Sequence, residues 1–469
     1  MTPPRLKKPK NRIEQGRQED AVTFQIEGPA ATDAFVLSID IADDAAPDAA
    51  RSAGSRLSET VRLAEAIDLA IVGEAIVTLN KVRPSTLMGS GKVDEIGLEI
   101  KASDAEVVIV NAQLTPGQQR NLERAWHAKV LDRTGLILEI FGRRAQTREG
   151  TLQVELAHLV YQKSRLVRSW THLERQRGGS GFLGGPGETQ LEADRRVIQN
   201  RITKLRKQLA SVSKTRGLHR HARTRVPYPI VALVGYTNAG KSTLFNRLTG
   251  ATVDARDLLF ATLDPTMRQI ELPKGGKAIL SDTVGFISDL PTTLVAAFRA
   301  TLEEVVSADV ILHVRDISHP ETEAQSRDVH AVLDELGLDE QRRDAMIEVW
   351  NKTDLLEADQ LQALIEKSQR ADDCCLVSAV TGEGLDQLLE RIKERLTGPV
   401  TEFRVDVPAT AGADIAWLYE HGDVQSRDDH EDGSMHFRVT FAAAQVKKAR
   451  QRFGDALHDA SDKEAIAAE

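Results

Sequence analysis

Residues Ile230–Thr243 read IVALVGYTNAGKST, and the reading of this stretch decides the fold. Five apolar residues lead into Gly235, and the pattern G-x-x-x-x-G-K-S then runs into STLFNRLTG, which suits a helix. Strand, glycine-rich loop and helix in that order make a phosphate-binding loop. The spacing has a mechanical reason. Gly235 and Gly240 let the backbone of Tyr236, Thr237, Asn238 and Ala239 curl so that N–H groups point inward at phosphates. Lys241 adds a charge at the β- and γ-phosphates, Ser242 offers a hydroxyl to magnesium, and the helix N-terminus favours an anion. GSGKV at Gly89–Val93 holds a second Gly-Lys pair, but Thr86 replaces the first glycine and Val93 the hydroxyl. A turn is expected there.

Downstream of the loop, the apolar run KAILSD delivers Asp282 to the turn Thr283-Val284-Gly285. A carboxylate at a strand end can hold magnesium through a water, and the Gly285 N–H can bond a γ-phosphate. The tetrapeptide Asn351-Lys352-Thr353-Asp354 follows MIEVW, and Ser378-Ala379-Val380 follows CCLV. Asp354 can accept from two guanine donors at once, the ring N–H and the exocyclic amine, which adenine does not offer. Asn351 and Lys352 brace the loop and cover the ring, and the serine loop brings an N–H to the guanine oxygen. Each motif is weak alone. Four in order, each at the C-terminal end of a strand, specify a guanine-nucleotide site. Of the two threonines in LLFATLDPTMRQ, Thr262 rather than Thr266 is expected to sense the γ-phosphate and complete the magnesium shell. Lys241, Thr262 and Gly285 are the expected catalytic residues.

The wider chain suggests several domains, since 469 residues exceed one ordinary core. A basic flexible tail is expected over 1–20 and an α/β domain over 21–146, with FVLSID, DLAIVGEAIVTLN, VVIVN and LILEIF as strands. Leu57, Val61 and Ala64 form a helical stripe between the first two. Over 147–225 two long helices flank RQRGGSGFLGGPGE, so an antiparallel hairpin with its tip at Gly178–Gly187 is expected. Leu152, Leu156, Leu159 and Val160 mark one helix face; Leu191, Val197, Ile202, Leu205 and Leu209 mark the other, and HRHARTRVPYP reads as a linker. The nucleotide domain spans 226–400 with six strands, and 401–469 reads as a small α+β unit.

Net charge is −9, yet Arg143–Arg225 holds 19 Lys/Arg against 6 Asp/Glu, while the rest holds 42 against 64. A basic block inside an acidic chain is the footprint of a polyanion, most often nucleic acid. The alternative is a solvated helical face. No apolar run approaches the ~20 residues that span a bilayer, no secretory signal is visible, and the two adjacent cysteines, Cys374 and Cys375, fit a reducing compartment. A cytoplasmic monomer without a membrane segment is expected.

FATLDPT, DTVGFI with DLPTTLVAAFRATLEEV, GGSGFLGGPGETQLE and RPSTLMGSGKVDEI together resemble the HflX family of translational GTPases. The resemblance covers most of the chain. It implies an N-terminal α/β domain, a helical hairpin and a Ras-like GTPase domain, with GTP hydrolysis coupled to binding the large ribosomal subunit and its ribosomal RNA. Members split stalled or idle ribosomes under stress. The family's nucleotide contacts fall on Gly235–Ser242, on Phe260, Ala261, Thr262, Leu263 and Asp264, on Asp282–Gly285, on Asn351–Asp354 and on Ser378–Val380; its Mg2+ ligands fall on Ser242 and Thr262. Many GTPases keep a water-orienting glutamine after the glycine of this turn. Phe286 stands there, and the family too has a hydrophobic residue, so hydrolysis should be slow alone and stimulated by the large subunit. Asn238 occupies the position at which potassium-activated GTPases hold K+, unless it merely tolerates a turn. Two other readings remain open: a GTP-switched RNA-binding protein, and a GTPase associated with RNA modification.

Overall fold

The computed structural model describes residues 32–41, 52–176, 186–223, 228–251, 260, 266–288, 304–370, 373–398, 400–430 and 433–459. Among these, the strands form three sheets. The first is wholly parallel, in the order β2-β1-β3-β4, with β1 Thr32–Ile41, β2 Leu69–Leu79, β3 Val107–Asn111 and β4 Lys129–Asp132. Its helices are α1 Ala53–Glu65, α2 Ser90–Ala102, α3 Pro116–Trp126 and α4 Arg133–Arg144. Three of these four starts carry a side-chain cap. Ser52 caps α1 by accepting from the Ser55 N–H, and Thr115 with Gln118 forms a capping box ahead of Pro116. Gly89–Val93 is the N-cap and first turn of α2 rather than a free turn.

The run LILEIF, expected as a strand, is the middle of α4. Asp132 accepts from the Gly135 N–H and so starts a helix, and Leu136, Ile137, Leu138, Ile140 and Phe141 are all buried. A short apolar run does not distinguish a buried strand from a helix buried on nearly every side.

Two long helices follow, α5 Arg148–Gln176 and α6 Pro186–Arg223. Lys163 donates to Gln199 Oε1 at 2.6 Å, and Arg201 pairs with Glu155, so partners run in opposite order along the two helices. Val154 and Ala157 of α5 are buried in the core that holds α4, Ile202 and Leu205 of the expected α6 stripe are buried, and Val197 is 66% exposed. Helix α6 continues through His219–Arg223, which the sequence suggested as linker. The Leu191 side chain lies outside the described residues, and so do 177–185, most of the expected tip.

The second sheet runs β10-β9-β8-β5-β7-β6, parallel except for β6. Its elements are β5 Ile230–Gly235, α7 Lys241–Thr249, β6 Thr266–Leu272, β7 Gly276–Asp282, β8 Val310–Asp316, α8 Thr322–Glu335, α9 Glu340–Asp344, β9 Ile347–Asn351, α10 Ala358–Ser368, β10 Cys374–Leu376 and α11 Leu385–Thr397. Parallel strands all point the same way, so the loops after β5, β7, β9 and β10 gather at one edge, where open α/β sheets bind ligands. The third sheet is antiparallel, β12-β13-β11-β14, from β11 Val400–Pro408, α12 Gly412–His421, β12 Asp423–Asp429, β13 Ser434–Ala442, α13 Ala443–Phe453 and β14 Leu457–Asp459. It closes over its own core of Phe403, Val405, Phe437, Val439 and Phe441.

The first two sheets share a core. A single buried cluster includes Leu136, Ile140 and Phe141 of α4 and also Tyr236, Phe260, Val284, Phe286 and Ile287.

Candidate nucleotide site

The loop after β5 is held in a shape that only certain residues allow. Gly240 has φ +90°, and a Cβ there would lie 2.2 Å from Asn351 Nδ2. At Gly235, with φ +151°, a Cβ would meet the Val314 carbonyl oxygen at 2.2 Å. Asn238 has φ +59°, a left-handed conformation that asparagine tolerates better than most side chains. Lys241 is buried, and its ammonium donates to the carbonyls of Tyr236 (2.8 Å) and Gly235 (3.1 Å). Burial lowers its pKa to about 8, with the Asp282 carboxylate pulling the other way.

Ser242 donates to Asp282 Oδ2 at 2.7 Å, which brings the expected magnesium hydroxyl beside the strand-end carboxylate. Thr237 Oγ1 is buried without a hydrogen-bond partner, an orphan that a phosphate oxygen would satisfy. The donor set of hydroxyl, carboxylate and backbone N–H groups suits hard, oxygen-bearing ligands, and so fits Mg2+ and phosphate. Thr262, with Ala261, Leu263 and Asp264, lies outside the described residues. Thr266 opens β6 opposite Asp282.

The β7 turn packs directly on this loop. Thr237 N donates to the Phe286 carbonyl at 2.7 Å, and Phe286 N donates to the Gly235 carbonyl at 3.1 Å. A Cβ on Gly285 would stand 2.9 Å from Thr237 Cγ2 and 3.0 Å from Thr237 Cα and Lys241 Nζ, so the glycine allows a close approach of this turn to the phosphate loop. Thr283 turns its hydroxyl back to the Leu233 carbonyl (2.6 Å), and Val284 is buried in the shared core, which leaves their backbones for a ligand.

Across the mouth, Asn351 ties three loops together. Its amide donates to the Ala239 carbonyl (2.9 Å) and its oxygen accepts from Ala379 N (3.0 Å). Ser378 Oγ donates to Asp354 Oδ1 at 2.6 Å and accepts from Thr381 N. Lys352, at φ +67°, pairs with Asp316 Oδ2 at 2.7 Å. Thr353 is buried in the short turn that presents Asp354, and Val380 is exposed. The structure thus brings together the described residues from all four motifs. Asp316 is the residue that motif reading passed over, although an acid ending the strand VILHVRD was a visible sign.

Four family models match in order: "GTP-binding GTPase N-terminal" over 54–142, "GTP-binding GTPase Middle Region" over 144–223, "50S ribosome-binding GTPase" over 230–352 and "HflX C-terminal domain" over 363–464. GTPase HflX of Magnetococcus marinus is 51% identical over 82% of this chain and 88% of its own. GTPase HflX of Escherichia coli is 46% identical over 76% and 82%. The chain belongs to the HflX family of GTPases. A GTP-binding protein of Sulfolobus solfataricus, solved with GDP, aligns over 78% of this chain and 99% of that one, at 23% identity and TM-score 0.42. As a member of the HflX family this chain is a P-loop enzyme that binds guanine nucleotide and hydrolyses GTP. Among the described residues no helix is long and apolar enough to cross a membrane.

In this HflX-family chain the side chain that stands where other GTPases keep glutamine does not face the ligand edge. Phe286 is 1% exposed and buried in the core shared with α4. Beside it runs a polar seam that motifs could not reveal. Tyr236, inside the phosphate loop, donates to Glu59 of α1 and accepts from Ser288 N at 2.9 Å. Arg133 of α4 donates to Glu59 Oε2 (3.1 Å), Ser288 O (2.9 Å), Ser288 Oγ (2.8 Å) and Asn111 Oδ1 (2.8 Å). The Phe260 ring meets Phe141 edge-on at 4.7 Å.

Proposed function

We propose that this chain acts in the cytoplasm as a ribosome-associated factor. In this reading it docks on the large subunit through the basic helices α5 and α6, and uses GTP to split or rescue stalled or idle ribosomes. The observation that carries the reading is charge placement: a local excess of 13 positive charges, 19 Lys/Arg over 6 Asp/Glu, within an acidic chain. Arg195 and Arg196 are exposed on α6, as docking onto ribosomal RNA phosphates requires. The "50S ribosome-binding GTPase" match over 230–352 supports the same partner.

In this reading Asp354 selects guanine and Ser378-Ala379-Val380 contacts its oxygen, while Asn351 and Lys352 brace and cover the ring. Gly235–Ser242 cradles the phosphates, and Gly285 reports the γ-phosphate. Ser242 and Thr262 would hold Mg2+, which screens phosphate charge when bound. Lys241 neutralises the transferring phosphoryl group. Phe286 cannot orient water, so hydrolysis is slow alone and accelerated by the large subunit; groups supplied by partners are worth roughly 10³–10⁵ in rate.

Co-sedimentation with isolated large subunits and a non-hydrolysable GTP analogue tests the reading. Binding that falls steeply with salt, and is lost with stimulation when Arg175, Arg177, Arg195 and Arg196 become glutamate, supports it. Undiminished stimulation in that variant defeats hairpin docking. Asn238 as a potassium ligand predicts faster basal hydrolysis in potassium than in sodium at equal ionic strength, flattened by Asn238→Ala. Equal rates in the two salts leave Asn238 to its turn.

A further inference from the structure

On the face of the second sheet covered by α8, three potential metal ligands converge. His313 of β8 and Glu348 of β9 are direct partners in the parallel register, and His330 comes from α8. One ligand atom from each lies within 4.8 Å of the other two. His313 is 1% exposed, and its Nδ1 is buried without a hydrogen bond. The facing acceptor, Glu348 Oε1, stands 3.5 Å away. That is long for N–H···O. It is close to the edge of a tetrahedron whose corners lie 2.0–2.1 Å from a central ion, about 3.4 Å.

The rest of the cluster is arranged in keeping with an ion. Glu348 Oε2 already accepts from Arg315 Nη1 (2.7 Å) and Trp350 Nε1 (2.8 Å), which orients the carboxylate and turns Oε1 toward the histidines. Such outer partners are what hold metal-binding carboxylates in place. Arg315 also pairs with Glu323 Oε2 at 2.9 Å, so its charge stays compensated when Glu348 engages a cation. The two imidazoles meet edge-on, 5.3 Å between centroids, with no hydrogen bond between them.

We propose that His313, His330 and Glu348 bind a divalent transition-metal ion of the zinc class, at a site separate from the nucleotide. Two imidazoles and a carboxylate favour zinc, cobalt or nickel over magnesium, which prefers oxygen ligands. Three residues beyond His313 and Glu348, the same strands end at the register pair Asp316 and Asn351, where Lys352 meets Asp316. The ion therefore clamps β8 to β9 directly below the guanine-reading loop.

The full chain, freed of metal by chelation and then saturated with Mg2+ and GDP, is titrated with Co2+ while visible absorption is recorded. One equivalent giving the intense bands of a four-coordinate site, displaced by Zn2+, is expected. His330→Ala and His330→Gln should each weaken uptake at least tenfold while GDP binding persists and reports a folded chain. Equimolar Zn2+ should raise the unfolding temperature of the parent chain and not of these variants. No uptake by the parent chain, or equal uptake by the His330 variants, overturns the proposal.

Discussion

At Phe286 a chemical deficiency turns out to be a packing asset. The side chain cannot orient water, and it fills the core between the phosphate loop and α4 instead. Phe286→Ala should cost about 3–5 kcal/mol, seen as a lower unfolding midpoint of the nucleotide domain. An unchanged midpoint would show that the site collapses around the loss. Its chemistry was legible in the sequence, but its burial was not, because the phosphate loop and α4 that enclose it lie far off along the chain. Lys241 invites a second test. Its pKa, lowered to about 8 by burial, means the folded chain binds fewer protons than the unfolded chain between about 8 and the ordinary 10.5. Stability from this group therefore rises with pH across that window and is lost below it. Phosphate oxygens restore the charged form, so at pH about 8.5 GDP should take up about three-quarters of a proton. Calorimetry in buffers of different ionisation enthalpy reads that uptake, which Lys241→Arg should abolish. Equal heats in all buffers would remove Lys241 from the phosphate site.

Helix α4 and its N-cap show how one carboxylate organises several elements. Asp132 is 2% exposed and accepts from Leu114 N, Gly135 N, the Tyr161 hydroxyl at 2.6 Å and Arg165 Nη2 at 2.6 Å. It starts α4 and fixes α5 to the first sheet together. Arg165 also stacks over the Tyr161 ring at 4.1 Å. Asp132→Ala strands a guanidinium that is only 17% exposed and should cost about 3 kcal/mol. Hydrogen exchange should then rise across 148–165 while β5 and β7 stay protected; equal protection in all three would deny Asp132 this role. The nucleotide strands were readable because each apolar run ends in a motif with its own chemistry. LILEIF carried no such punctuation, and a cap formed by Asp132 four residues earlier outweighed its strand-like composition. The histidine–glutamate cluster was invisible for another reason: register, not spacing, unites residues 313, 330 and 348.

For the whole molecule, the seam between the first and second sheets matters most. Glu59 and Arg133 are nearly buried, at 10% and 5% side-chain exposure, and both engage Ser288 just beyond the turn that meets the phosphate loop. Glu59→Gln and Arg133→Met, singly and together, should show a coupling of about 0.5–3 kcal/mol in stability. Strict additivity would mean that the seam does not act as a unit. Nothing in either motif set announced it, because each half is an ordinary surface charge until the two sheets meet.

The Asp132 anchor also sets a mechanical ratio. Helix α5 runs on from Arg165 for eleven residues to Gln176, or roughly 17 Å at 1.5 Å per residue. It is gripped near its middle, and the helix continues beyond that grip as the partner of α6. A pivot of about 10° at the grip sweeps the Gln176 end through roughly 3 Å, close to the 3.4 Å step between stacked nucleotides. A twist of that size at the grip would thus be geared up into travel of about one nucleotide at the far end of the helix.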